Sequence, residues 1–167
     1  ACRVSQTQSI GVLGTEGTIR GGSYEIEIHK INPKIEVSSL ACPLFVPLIE
    51  EGWTQNEVTE MVAKKYLNQL SGTPDTIILG CTHYPLIRET LQQLKPNVGF
   101  IDSATSTAKE SKAQLKRMNL LRTSGERDFT FLVTDNMERF GRVGYKFLNH
   151  PPKPLHLVDL TEQDALR

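Results

Sequence analysis

The fold is decided by residues 76–85, which read TIILGCTHYP. Residues 76–79 are a short run of β-branched and apolar side chains, typical of a strand buried on both faces of a parallel sheet. Gly80 lets the backbone turn closely, and Pro85 suits the first turn of a following helix. The stretch therefore predicts a strand, a tight turn and a helix, with Cys81 just beyond the carboxyl end of the strand.

Short apolar runs alternate with longer amphipathic segments along the rest of the chain. We predict further strands at residues 9–13, 35–41, 98–101, 129–134 and 155–160. We predict helices at residues 20–30, 54–70, 86–94, 107–121 and 136–148. This alternation is typical of an α/β fold, with a mostly parallel sheet flanked by helices.

The helix predicted at residues 54–70 has the clearest local signals. Thr54 can cap it, and Glu57, three positions later, completes a capping box. The residues expected to form its buried stripe, at helical spacing, are Val58, Met61, Val62, Tyr66 and Leu70.

The overall composition excludes several classes of function. Nineteen basic residues balance nineteen acidic ones, so the net charge gives no support for a nucleic-acid partner or a membrane surface. No apolar run approaches the roughly 20 residues that span a bilayer. The cysteines, Cys2, Cys42 and Cys81, are far apart and form no CxxC pair, which argues against a disulfide framework or a metal site. We expect a cytoplasmic protein without a bound metal.

Cys81 is the strongest candidate for chemistry. Open α/β sheets bind ligands beyond the carboxyl ends of their strands, where Cys81 is predicted to lie. The N-terminus of the next helix favours anions such as a substrate carboxylate. His83 is close enough in sequence to exchange a proton with the thiol or to orient a substrate.

Two other segments give weaker signals. The glycine-rich loop at residues 14–22, GTEGTIRGG, fits neither the dinucleotide nor the P-loop pattern. Thr15 and Thr18 could donate hydrogen bonds to a small anion, or they could simply stabilise a turn. Cys42 also follows a predicted strand, but Pro43 and the apolar residues around it favour a packing role. Spacing alone does not single out Glu50.

Several motifs together resemble the glutamate racemases of the aspartate/glutamate racemase superfamily. GCTHYPL at residues 80–86 is similar to the second-cysteine motif of that family. SLACPLFVPL at 39–48, IDS at 101–103 and GVLGTEGTIRGGSYE at 11–25 fit in the same order and spacing. The resemblance extends from residue 9 to about residue 110. The histidine after Cys-Thr favours the glutamate branch, because aspartate racemases resemble GCTE at this point.

The resemblance implies a cofactor-independent mechanism, in which two thiols flank the α-carbon of glutamate. One thiolate removes the α-proton and the other thiol protonates the opposite face. It assigns Cys81 as the base towards L-glutamate, His83 as its assistant and Glu50 as an acid near the site. The substrate contacts that it implies are Thr82, His83, Thr15 and Thr18. The product would be D-glutamate for peptidoglycan and cell-wall synthesis, and hence for cell shape.

The family's other thiol lies in a Cys-Asn-Thr motif in its first half, together with an Asp-Ser substrate contact, and neither of these first-half motifs is in this sequence. The chain also starts without methionine, so we expect it to represent the C-terminal part of a racemase. Residues 1–104 would form the second of two pseudo-symmetric α/β domains, and residues 105–167 would pack on the missing first domain. We expect no racemisation by this chain alone. The only partner implied is the small-molecule substrate, and the oligomeric state, with a homodimer as one option, stays open.

Three other hypotheses stay open at this point. A cysteine hydrolase or transferase could use Cys81 as nucleophile and His83 as base, although neither an oxyanion hole nor an orienting acid is evident from the sequence. A non-catalytic amino-acid-binding module could keep the fold without the reaction. Aspartate or hydantoin could replace glutamate as the substrate.

Overall fold

A computed structural model describes residues 1–122, 124–125 and 128–160 of the chain. It divides into two compact units, Ala1–Leu121 and Arg122–Arg167. The boundary between the units lies later than the predicted domain boundary at residue 104. The packing of residues 105–167 on another domain stays a prediction.

The first unit is built on a four-stranded, wholly parallel sheet. Its strands are β1 (Ser9–Gly14), β2 (Glu36–Ala41), β3 (Thr76–Gly80) and β4 (Gly99–Asp102), in the order β2-β1-β3-β4. The central strands β1 and β3 are buried along almost their whole length, as their apolar sequences require. The predicted fold class, a mostly parallel sheet flanked by helices, is confirmed.

Helices surround this sheet. They are α1 (Glu16–Gly21), α2 (Ser23–Ile31), α3 (Phe45–Glu51), α4 (Glu57–Leu67), α5 (Arg88–Leu94) and α6 (Ser103–Arg117), with a 3-10 turn at Tyr84–Ile87 before α5. The helix predicted at residues 20–30 is confirmed over most of its length by α2, but its predicted start is wrong, because Gly22 adopts a left-handed backbone with φ of 63° and separates α1 from α2.

The start and the buried face of α4 also differ from the prediction. Asn56, and not Thr54, caps this helix, with its side chain accepting a hydrogen bond from the Thr59 amide at 2.9 Å. Thr59, Ala63 and Leu67 face the core. Of the predicted stripe, Val62, Tyr66 and Leu70 pack against that core as expected, whereas Val58 and Met61 are exposed. Thr59 can be buried because its hydroxyl donates to the Trp53 carbonyl.

The core lies on both faces of the sheet. Side chains alternate between the faces along each strand. One face carries Leu13, Ile77 and Leu79 together with Cys42, Phe45, Ile49, Ala63, Leu67, Tyr84, Ile87, Leu91 and Phe100. The other carries Ile10, Val12, Ile28, Ile35 and Ile78.

Asp75 fastens the segment that precedes β1 to the start of β3. Its carboxylate accepts hydrogen bonds from Ser5 Oγ at 2.7 Å and from the amides of Gln6 and Thr7 at 2.6 and 2.9 Å. Burial tends to raise the pKa of Asp75, but these hydrogen bonds outweigh it and lower the pKa to about 2.

The second unit contains β5 (Phe131–Val133), α7 (Met137–Leu148) and β6 (Leu155–Leu157). The two strands pair in parallel, and both are shorter than predicted. The side chain of Asn136 caps α7 by accepting from the Arg139 amide at 2.9 Å. Across the described ranges of both units, none of the helices combines the length and apolarity needed to cross a bilayer.

Candidate active site

Three strands of the sheet end in register at its carboxyl edge. Gly14, the last residue of β1, pairs with Ala41 of β2 and with Gly80 of β3. The next residues, Thr15, Cys42 and Cys81, therefore leave the sheet side by side. The chain passes from β1 to β2 on one side and then crosses to β3 on the other, which makes this edge a topological switch point. Such an edge is where open α/β sheets bind ligands.

Glycine is required where β3 ends. A Cβ atom on Gly80 would lie 3.0 Å from the Leu13 carbonyl oxygen and 3.0 Å from a ring carbon of Tyr24. The carbonyl belongs to the neighbouring central strand and has little freedom to move. The absence of a side chain thus lets β1 and the ring of Tyr24 pack directly against the residue that precedes Cys81.

Cys81 lies in the turn that joins β3 to the 3-10 turn. Its side chain is partly buried against the core, and Thr82 beside it is exposed. The Tyr84 amide donates to the Cys81 carbonyl at 3.2 Å, and Pro85 lies in the first turn of the helical segment, as predicted. The helical segment begins at Tyr84, two residues before the predicted start, because its first turn has 3-10 geometry.

His83 is held at both nitrogens of its imidazole. Nε2 lies 3.4 Å from Oε1 of Glu50, and Nδ1 lies 3.4 Å from the Thr82 hydroxyl. The side chains of His83 and Glu50 are only 24% and 22% exposed, so solvent screens this contact less than it screens a surface pair. A carboxylate on one ring nitrogen fixes the orientation of an imidazole. The structure thus brings together His83, which the sequence analysis selected for its place near Cys81, and Glu50, which it selected through the resemblance.

Tyr84 is the site-building residue to which the sequence analysis gave no role. Its side chain is fully buried, and its hydroxyl donates to the Cys42 carbonyl at 3.0 Å. Its ring meets Phe45 edge to face, with centroids 5.2 Å apart. Burial raises the pKa of Tyr84, and the nearby thiols of Cys42 and Cys81 raise it further, so the hydroxyl stays a donor. A signal was present in the sequence, because a tyrosine inside an apolar strand-to-helix motif needs a hydrogen-bond partner.

Cys42 has the packing role predicted for it. Its side chain is fully buried in the core below β2, with Sγ 3.8 Å from the Leu40 carbonyl oxygen. Burial raises the pKa of the Cys42 thiol to about 12. The thiol stays protonated at neutral pH and is a poor candidate for proton transfer.

Thr15 and Thr18 lie at the carboxyl end of β1 and contact each other. Thr15 caps α1 by accepting from the Thr18 amide at 3.3 Å, and the two hydroxyl oxygens are 3.0 Å apart. Capping of α1 therefore accounts for the positions of both residues. Contact of either hydroxyl with a substrate stays a prediction.

An ion pair lies at the carboxyl end of β4. Arg88 donates to Asp102 Oδ2 at 2.5 Å and to the Phe100 carbonyl at 2.6 Å, and Asp102 caps α6 by accepting from the Thr105 amide at 2.7 Å. Burial tends to raise the pKa of Asp102, but the hydrogen bonds from Thr105 and the charge of Arg88 lower it overall. Asp102 is therefore a fixed carboxylate that anchors α5 and α6. Nowhere in the described part of the chain do histidine, cysteine and carboxylate side chains form a group of three suited to a metal ion.

Comparisons with known proteins point to one family. Residues 1–111 match the family described as Asp/Glu/Hydantoin racemase. The chain is 45% identical over 163 residues to the glutamate racemase of Geobacter metallireducens. It is 36% identical over 162 residues to the glutamate racemase of Neisseria meningitidis. Each of these alignments covers 96% of this chain and 60% of the relative.

Solved structures give the same result. A glutamate racemase from Francisella tularensis in complex with D-glutamate superposes with a TM-score of 0.85 at 37% identity, covering 94% of this chain and 60% of that one. A glutamate racemase isoform from Bacillus anthracis superposes with a TM-score of 0.87 at 31% identity, covering 96% and 60%. The chain thus spans about three fifths of the length of the relatives it matches.

Proposed function

The chain belongs to the Asp/Glu/hydantoin racemase family, and we propose that it provides one of the two proton-transfer groups for the cofactor-independent interconversion of L- and D-glutamate. The observation that carries the proposal is the position of Cys81. This thiol is partly exposed at the carboxyl edge of the central strand β3, two residues from an imidazole that contacts a carboxylate. Glutamate is the proposed substrate because the relatives at 36% and 45% identity are named glutamate racemases.

The proposed reaction moves one proton at each face of the substrate. The α-proton of an amino acid is a weak acid, so its removal needs a base that is held close and shielded from water. Cys81, as thiolate, takes the α-proton of L-glutamate, and the electron pair of the C–H bond stays on the α-carbon as a carbanion. A second thiol on the opposite face gives its proton to that carbon and becomes a thiolate. The product is D-glutamate, and the reverse reaction starts from the second thiolate.

His83 and Glu50 support Cys81 in this scheme. His83 passes a proton to or from the thiol between turnovers, and Glu50 keeps the imidazole oriented through the 3.4 Å contact at Nε2. The exposed hydroxyl of Thr82 is proposed to bind a substrate carboxylate, with Thr15 and Thr18 as further donors at the same sheet edge.

Cys42 cannot supply the second thiol, because it is fully buried and its pKa is raised to about 12. We expect that thiol in the part of the relatives that this chain does not match. The chain alone is therefore proposed to be inactive. The D-glutamate would serve peptidoglycan synthesis in the cytoplasm, and the substrate is the only partner that the proposal requires.

The alternative hypotheses are less well supported. Glu50 supplies the orienting acid that a cysteine hydrolase using Cys81 and His83 would need, but none of the compared relatives is named as a hydrolase. The comparisons therefore favour proton transfer at the α-carbon over attack on a carbonyl group.

A substrate panel tests the proposal. This chain would be joined to the part of the Geobacter metallireducens racemase that it does not match, and incubated separately with L-glutamate, L-aspartate and a chiral hydantoin. We expect loss of optical rotation for glutamate alone. Racemisation of aspartate or the hydantoin, with glutamate unchanged, would contradict the assigned substrate.

A further inference from the structure

Tyr84 links the turn after β2, which leads into α3, to the turn that carries Cys81 and His83. Its hydroxyl donates to the Cys42 carbonyl at 3.0 Å, and its amide donates to the Cys81 carbonyl at 3.2 Å. Cys42 follows β2 and Cys81 follows β3, and these strands are not neighbours because β1 lies between them. One buried residue therefore spans the width of three strands at the carboxyl edge of the sheet.

The ring of Tyr84 also fixes the start of α3. Phe45, the first residue of this helix, packs edge to face on Tyr84, with an angle of 87° between the ring planes. Glu50 lies on the same helix, between one and two turns further on. A short helix moves as a rigid unit, so the position of Phe45 on Tyr84 determines where the Glu50 carboxylate lies. Tyr84 is also the neighbour in sequence of His83, which that carboxylate contacts.

We propose that Tyr84 is a positioning residue that sets the contact between Glu50 and His83, and through it the orientation of the imidazole beside Cys81. The inference rests on the proposed function only in taking Glu50 and His83 as site residues. The hydroxyl holds the turn before α3, the ring holds α3 itself, and the backbone holds the Cys81 turn. Loss of the hydroxyl breaks the connection to the turn before α3 and leaves the other two in place.

The hydroxyl can be removed without leaving a buried group unpaired. The Cys42 carbonyl also accepts a hydrogen bond from the Phe45 amide at 3.2 Å, so it keeps a partner in Tyr84→Phe. The substitution keeps the ring and its packing on Phe45. We therefore expect a folded chain in which α3, and Glu50 with it, is less firmly placed against His83.

The test uses the imidazole signal of His83 in the 167-residue chain, so it needs neither substrate nor activity. The Cε1–Hε1 signals of the four histidines would be recorded by NMR and the His83 signal assigned with His83→Gln. Four proteins form a cycle, namely the unmodified chain, Glu50→Gln, Tyr84→Phe and the double variant. Tyr24→Phe is the matched control, because it also removes one tyrosine hydroxyl but Tyr24, in α2, packs against the core on the opposite face of the sheet from α3.

We expect Glu50→Gln to shift the His83 signal and Tyr84→Phe to shift it in the same direction. The His83 signal of the double variant should coincide with that of Glu50→Gln. Once the carboxylate is gone, the placement of α3 no longer affects the imidazole through this contact. Tyr24→Phe should leave the signal in place. If Tyr84→Phe does not fold, Phe45→Leu removes the ring contact instead and should give the same shift.

Three results would overturn the proposal. They are an unmoved His83 signal in Tyr84→Phe, additive shifts in the double variant, and an equal shift in Tyr24→Phe. Failure of the proposed racemase reaction would leave these signals unaffected, so the two proposals fail separately.

Discussion

Oε1 of Glu50 lies 3.4 Å from Nε2 of His83, although the two residues come from separate segments on either side of β3. Glu50 is near the end of α3, and His83 is in the turn after β3. The contact places a carboxylate behind the imidazole that neighbours the Cys81 turn. In the proposed function, Glu50 orients this imidazole for proton exchange with Cys81.

The three thiols should differ in their rates of alkylation. Cys2 and Cys81 are partly exposed, whereas Cys42 is fully buried and its pKa is raised to about 12. A pulse of iodoacetamide at pH 8, read by peptide mass spectrometry, should label Cys2 and Cys81 and spare Cys42, because only a thiolate reacts. The same pulse in urea should label all three. Early labelling of Cys42 in the folded chain would contradict its placement in the core.

Gly80→Ala should destabilise the chain by about 2 kcal/mol, because the new methyl group overpacks against Leu13 and Tyr24. Gly21→Ala is the matched control, since a Cβ there meets nothing within 4 Å. We expect this control to be about 0.5 kcal/mol more stable than the unmodified chain. Urea unfolding measures both changes, and equal effects of the two substitutions would contradict the close packing at the end of β3.

The Arg88–Asp102 ion pair should contribute to stability. Asp102→Asn keeps the cap on α6, because asparagine also caps helices, but it leaves Arg88 without its charged partner. We expect a loss of about 2 kcal/mol in the free energy of unfolding, since Asp102 is buried and Arg88 is partly exposed. Glu110→Gln, which breaks an exposed pair with Arg117, should change it by less than about 0.5 kcal/mol. A larger loss of stability in Glu110→Gln than in Asp102→Asn would contradict the greater contribution expected of the buried pair.

Asp75 should make the free energy of unfolding depend on pH in the acid range. Its folded-state pKa of about 2 lies below the usual aspartate value, so its contribution is complete above about pH 4 and is lost as the pH falls towards 2. Asp75→Asn should cost about 1 kcal/mol at pH 7, allowing for solvent screening of the partly exposed carboxylate. The difference from the unmodified chain should shrink between pH 4 and about pH 2. Urea titrations across this range measure it, and a constant difference would contradict the hydrogen bonds to residues 5–7.

The central strands could be predicted from sequence because burial on both faces leaves a simple signature. Residues 76–79 carry apolar or β-branched side chains at every position, and the structure buries all of β3. Helix α3 was not predicted, because Pro47 argues locally against a helix. In the structure Pro47 lies in the first turn of α3, where its missing N–H costs nothing.

The cap of α4 could not be chosen locally. Thr54 and Asn56 are both good capping residues, and two hydrogen bonds to the preceding loop, one of them tertiary, decide between them. The Thr54 carbonyl accepts from Thr90 Oγ1 at 2.7 Å, and the Trp53 carbonyl accepts from Thr59. These bonds hold residues 53–54 in the loop, so that the helix starts after Asn56.

The site itself was predictable only in part. The order of strands and turns placed Cys81 and Thr15 at one sheet edge, since parallel strands end together. No spacing rule connects Glu50 with His83 or Tyr84 with Cys42, because these contacts depend on how α3 packs against the 3-10 turn. Glu50 entered the prediction through family resemblance, and Tyr84 required the structure.

The most direct measurement of the central claim is α-proton exchange in D2O. This chain, joined to the part of the Geobacter metallireducens racemase that it does not match, would be given each enantiomer of glutamate without cofactor. Deuterium at Cα and optical rotation would be followed together for the unmodified protein, for Cys81→Ser and for Cys2→Ser as control. We expect exchange and racemisation from both enantiomers, with no effect of Cys2→Ser. Cys81→Ser should abolish racemisation and slow exchange from L-glutamate by about 10³-fold, because the base is lost. Racemisation by Cys81→Ser at the unmodified rate, or no exchange by the unmodified protein, would contradict the assignment of Cys81 as a proton-transfer group.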